Sequence, residues 1–129
     1  MDNLEGIHPD LIAVLKKAAT LTRTRFSVFR GRITREEAER LVKAGLARSA
    51  DVRNVSGHAV NIMPLDAQGN PVPYGQCFGQ VADAVLLAAH KLAIAVDWGG
   101  WREFDQDPSQ FELRKANYAD DWSKGPYRA

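Results

Sequence analysis

Several features that would place a chain quickly are missing from this one. It has a single cysteine, Cys77, which excludes an intramolecular disulfide framework and fits a reducing compartment. It has no apolar run of bilayer-spanning length: the longest, Val81 to Val96, is broken by Asp83, His90 and Lys91, which excludes membrane insertion. No basic stretch followed by an apolar core opens the chain, so no signal peptide is expected and the protein is expected in the cytoplasm on synthesis. Neither sign of charge dominates. With 17 Lys and Arg against 16 Asp and Glu, the net charge of +1 gives no reason to expect nucleic acid or an anionic membrane as partner. Internal repeats and low-complexity segments are also lacking.

What remains is an ordinary globular composition. A length of 129 residues, 45% of them hydrophobic, is enough for one domain with its own core. Pro9 suits the first turn of a helix, and Leu11, Ile12, Val14, Leu15 and Ala18 supply its apolar stripe to about Leu21. Arg25 to Phe29 reads as a short strand ending at Gly31. Thr34 and Glu37 form a capping-box pattern ahead of a helix carrying Ala38, Leu41, Val42 and Leu46 on one face, with Gly45 ending it. Ala59 to Met63 has strand character until Pro64, and Asp66 to Pro71 is a turn-rich loop. The longest helix is expected from Phe78 to Leu92, then strands at Ile94 to Trp98 and Gln110 to Arg114, separated by a Gly99-Gly100 turn. This order predicts an α+β domain: a small antiparallel sheet with flanking helices.

Two stretches carry chemistry. The first is Val52-Arg53-Asn54-Val55-Ser56-Gly57-His58-Ala59-Val60-Asn61; the second is Trp98-Gly99-Gly100-Trp101 followed by Asp107-Pro108-Ser109-Gln110-Phe111-Glu112-Leu113. Together with Gly6-Ile7-His8-Pro9-Asp10-Leu11, they resemble the zinc peptidoglycan peptidases: VanY-like D,D-carboxypeptidases and phage L-alanyl-D-glutamate endolysins. In that family the first stretch reads S-x-H-x-x-G-x-A-x-D, and the second a W-G-G followed by D-x-x-H-F-E-L. The frame is present and the metal ligands are not. The resemblance aligns the family's two histidine ligands with Asn54 and Gln110, its aspartate ligand with Asn61, and its acid/base carboxylate with Asp107, which is retained. It places Arg32, Ser56, His58 and Trp98 at the substrate cleft. Ile33 stands where the family has a substrate-holding arginine, with Arg32 beside it.

A catalytic zinc needs three protein ligands and an open position for water. Carboxamides are neutral, weak donors, so the family's zinc is not expected to be held and no cofactor is predicted. No remaining pair among Cys77, His8, His58 and His90 has ligand spacing. His58 is also three residues from Asn61, which in a regular strand turns it to the opposite face. The resemblance thus implies a degenerate, non-catalytic relative that binds a peptidoglycan stem peptide or serves as a virion or interaction protein. A working L-Ala-D-Glu or D,D-peptidase, released at lysis, is the competing expectation. Residues 1–113 would form the peptidase-like domain, and residues 114–129 a tail. In that tail Tyr118, Trp122 and Tyr127 suit docking on a partner, or folding back over the domain's own apolar surface.

Overall fold

A computed structural model of the chain describes residues 1–47, 49–50, 52–72, 76–104 and 106–119. The first helix, α1, covers Pro9–Leu21. Pro9 fills a position whose N–H has no helical partner, and His8 Nδ1 accepts the N–H of Asp10 at 3.0 Å as the cap. Its stripe of Leu11, Val14, Leu15 and Ala18 is fully buried. Strand β1, Phe26–Arg30, follows, and then helix α2, Arg35–Lys43, which opens with the full Thr34–Glu37 capping box. Strand β2 is Ala59–Pro64, helix α3 Gln76–Leu92, strand β3 Val96–Trp98 and strand β4 Gln110–Leu113, with a 3-10 turn at Gly99–Trp101. Every element expected from the sequence is present, and the shifts are confined to the ends.

The strands form one antiparallel sheet in the order β1-β2-β4-β3. Period-two alternation then sorts the side chains. Phe26 and Val28, Val60 and Ile62, and Phe111 and Leu113 face the helices. They pack with Leu11, Val14 and Leu15 of α1 and Val81 and Val85 of α3 into the main core. Each such fully buried side chain stabilises the fold by about 1.5–3 kcal/mol. Asn61 and Gln110 have the opposite parity, so they emerge together on the other face, where the ladder pairs them directly.

On that face a second, smaller cluster forms from Ile33, Ala38 and Val55, backed by Leu41 and Val52. It seats α2 and the 52–58 turn over the outer side of the sheet and leaves a cleft between them. A bulge in β1 between Val28 and Arg30 brings Arg30, rather than Phe29, opposite Asn61. Among the described residues, no helix is long and apolar enough to cross a membrane.

Candidate functional site

Four segments converge on the outer face of the sheet. Asn61 comes from β2 and Gln110 from β4, Asn54 from the 52–58 turn, and Asp107 and Ser109 from the turn entering β4. Gly57, at φ +80°, bends the first turn back so that its N–H bonds Asn54 O at 3.2 Å. Gly99 anchors the second: its O accepts the Asp107 N–H, and a Cβ there would lie 2.3 Å from Asp107 O. Asn54, Asn61, Ser109 and Gln110 are all buried.

These side chains bond chiefly to one another. Asn54 Nδ2 donates to Asn61 Oδ1 at 3.1 Å and to Gly31 O at 3.2 Å. Asn61 Nδ2 donates to Ser109 Oγ at 2.9 Å and Asp107 Oδ2 at 3.1 Å. Gln110 Nε2 reaches Asn54 Oδ1 at 3.4 Å, and Arg102 donates to Gln110 Oε1. Asp107 Oδ1 accepts both the N–H and the Oγ–H of Ser109, at 3.0 and 2.6 Å. Among the described residues no buried side-chain nitrogen or oxygen lacks a partner. Each net bond contributes about 1 kcal/mol, and orphaning one of these groups would cost about 1–3 kcal/mol.

The donor set does not fit a zinc ion. Three carboxamides and one carboxylate supply a single negative charge, no imidazole and no thiolate, whereas zinc sites use His, Cys and carboxylate ligands. Their oxygens already accept protein hydrogen bonds, and the Arg102 guanidinium adds a positive charge beside Gln110. Among the described residues no group of three or more His, Cys, Asp or Glu is placed to hold a metal.

The cleft over this cluster has a volume of about 540 Å³ and is lined by Arg30, Ile33, Leu41, Leu46, Asn54, Asn61, Arg102, Asp107 and Gln110, among others. Of the residues expected there, Ser56 and His58 are not. Strand parity turns His58 to the helix side, where it is 1% exposed, pairs with Ser56 Oγ at 2.8 Å and lies 5.6 Å from the His8 ring. Arg32 gives its Nε to Val55 O at 3.1 Å and lines a neighbouring depression instead. Trp98 is a packing residue: it stacks on Phe111 at 6.3 Å and donates Nε1–H to Pro108 O.

Tyr118 does not stand out from the domain. Its hydroxyl donates to Asp10 Oδ2 at 2.7 Å, its ring packs on the His8 ring at 5.2 Å, and its carbonyl accepts from Arg53. Chain beyond Leu113 therefore folds back at least to this residue; Trp122 and Tyr127 lie outside the described residues. Ser109 and Arg102 were not singled out from the sequence. The Asp-x-Ser spacing of a side-chain-closed turn was a usable signal for Ser109, while Arg102 reaches Gln110 through a loop path that no periodicity encodes.

Comparison with known proteins agrees with this architecture. A family model described as phage L-alanyl-D-glutamate peptidase matches residues 1–122. The crystal structure of the Serratia marcescens L-Ala D-Glu endopeptidase ChiX superposes with a TM-score of 0.85 at 32% identity, covering 91% of this chain and 87% of that one. Among curated proteins, none matches. A match over nearly the whole length, joined to a shared fold at that identity, has one consequence: this chain belongs to the phage L-alanyl-D-glutamate peptidase family.

Proposed function

We propose that this protein is a non-hydrolysing member of its family that holds a peptidoglycan stem peptide in the cleft over Asn54, Asn61 and Gln110. One observation carries the reading: the three positions aligned with metal ligands are carboxamides bonded into a closed cluster with Asp107 and Ser109. Without a Lewis acid the attacking water keeps a pKa far above neutral, and the scissile carbonyl is not polarised. Asp107 could contribute general-base help of about 10²–10⁴-fold, which does not replace the metal. Three hydrogen bonds also hold that carboxylate as an acceptor within the cluster.

Binding does not need the metal. The cleft keeps the family's frame and a mixed wall of arginine, amide and aliphatic side chains, which suits an extended peptide with polar backbone and small side chains. The relative from Serratia marcescens is named for cleaving an L-Ala–D-Glu bond, and a wall peptide is the ligand class this scaffold would inherit. A protein that binds walls without cutting them would meet them on release at host lysis.

The test has two readouts on the purified protein. Metal analysis after zinc loading and desalting should give far less than one zinc per chain, and suspensions of purified cell walls should keep their turbidity. The same walls should retain the protein on sedimentation. Stoichiometric zinc with clearing of the walls would overturn the reading in favour of a working peptidase. No retention on walls would remove the binding half.

A further inference from the structure

Two large aromatic side chains are left in water beside the cleft. Trp101 is 58% exposed and Phe104 77% exposed, while Trp98, in the same segment, is packed on Phe111. They sit on a loop that is closed at its base: Gly99 O accepts the N–H of Arg102 at 3.3 Å and that of Asp107 at 3.2 Å. Neither glycine before Trp101 has room for a side chain. A Cβ on Gly99 would lie 2.3 Å from Asp107 O, and one on Gly100 2.5 Å from the Trp98 ring. Trp101 then meets Trp98 edge-on, with ring centroids 6.4 Å apart and planes at 75°. A contact of that kind fixes the indole and leaves at least one of its faces open.

The loop is continuous with the cleft. Arg102 and Gln106, which flank Phe104 in the chain, line the cleft, and Arg102 donates to Gln110 Oε1. Apolar groups held in water next to a binding cleft mark a contact surface. An anionic membrane is disfavoured as the occupant by charge, since Trp101 to Asp107 sets Arg102 against Glu103, Asp105 and Asp107. A protein partner is disfavoured by size. Two rings offer about 150–250 Å² each, well short of the roughly 1,200 Å² that a stable protein interface buries. An uncharged sugar chain meets both conditions. Its C–H faces stack on the electron-rich faces of aromatic rings, and its hydroxyls bond groups such as the exposed Glu103 carboxylate and Gln106 amide.

We propose that Trp101 and Phe104 form a stacking platform for the uncharged glycan strand of the cell wall, alongside the cleft. Three residues apart, the two rings start from backbone positions at most about 11 Å from each other, so neighbouring sugars of one chain can meet both. The proposal rests on this face of the protein meeting cell-wall material and adds a separate subsite for the sugar.

The probe is tetra-N-acetylchitotetraose, a soluble chain of uncharged N-acetylhexosamines, titrated into the full chain and followed by the NMR signals of the tryptophan indoles. Binding should saturate and shift the Trp101 signal. Trp101→Ala and Phe104→Ala should each weaken it roughly tenfold, as loss of a stacking ring does elsewhere, and Trp101→Phe should keep most of it. Circular dichroism should not change, because both side chains are exposed. Absence of saturable binding, or indifference to both alanine substitutions, would overturn the proposal. So would Trp101-dependent sedimentation with phosphatidylglycerol vesicles in place of sugar binding. A parallel titration with the peptide L-Ala-γ-D-Glu-L-Lys-D-Ala separates the platform from the parent reading. If the peptide binds and the sugar does not, the peptide cleft stands and the platform falls. If the sugar binds in a Trp101-dependent way and the peptide does not, the platform stands and the stem-peptide reading falls.

Discussion

Asn61 is the centre of the amide cluster, touching Asn54, Asp107 and Ser109 through three hydrogen bonds at a position 4% exposed. Asn61→Ala would orphan several buried groups at once and should cost about 2–3 kcal/mol, roughly a 10 °C fall in Tm by calorimetry. A fall under 2 °C would mean that the cluster contributes little to the fold. Asn54→His, Asn61→Asp and Gln110→His made together restore two imidazoles and a carboxylate to the ladder-paired face. The triple variant should take up one zinc per chain, and Arg102→Ala should tighten that binding by removing a cation beside the ion. A folded triple variant that takes up no zinc would show that the ligand positions are misassigned. Asn54, Asn61 and Gln110 were legible through the family resemblance, which aligns them with the metal ligands, and the register of β2 and β4 sets Asn61 opposite Gln110. For His58 the resemblance pointed to the cleft and strand parity to the opposite face, and the structure follows parity, burying it beside the His8 ring. Arg30 was not readable, because only the β1 bulge brings it opposite Asn61.

At the scale of elements, α1 is fixed at its first turn by His8 and by Tyr118 reaching Asp10. Burial lowers the His8 pKa below its usual 6.5, and the nearby Asp10 offsets this in part. Its Nδ1 accepts the Asp10 N–H only when unprotonated. Because the folded pKa lies below the unfolded one, the unfolded chain takes up the proton first. The contribution is complete above about pH 6.5 and is lost as pH falls through the folded-state pKa. Between pH 7.5 and 5 the Tm of the native protein should therefore fall more steeply than that of His8→Asn, which keeps a capping side chain without the titration. Parallel slopes would exclude His8 as the cause. The hydrogen bond to Asp10, helped by burial, raises the Tyr118 phenol to about 12, so it remains a donor throughout this range. Helix and strand positions were legible because capping box, apolar stripe and turn residues agree with one another. The sequence left the tail between partner docking and folding back; the described residues fold back as far as Tyr118, through a long-range bond to Asp10 that no local pattern encodes.

For the molecule as a whole, side-chain hydrogen bonds cross-link the 52–58 turn, β2 and the start of β4. Chelation by EDTA should leave Tm within about 1 °C, in contrast to domains whose folding free energy is metal binding. A large fall would reveal an ion that this donor set does not account for. Truncation after Leu113 should cost about 2–3 kcal/mol by removing the Tyr118 bonds to Asp10 and Arg53, read as a lower urea midpoint. The closed cluster also has a consequence for how the protein can change. Asn61→Asp alone would set a second carboxylate against Asp107, where a 3.1 Å donor contact now stands, and Asn54→His alone would disturb the bond to Gly31 O. Each of these two single steps towards an imidazole–carboxylate centre should therefore lower Tm in the absence of an ion. Under the proposed metal-free reading, the closed amide cluster is a ratchet against regaining an ion one residue at a time.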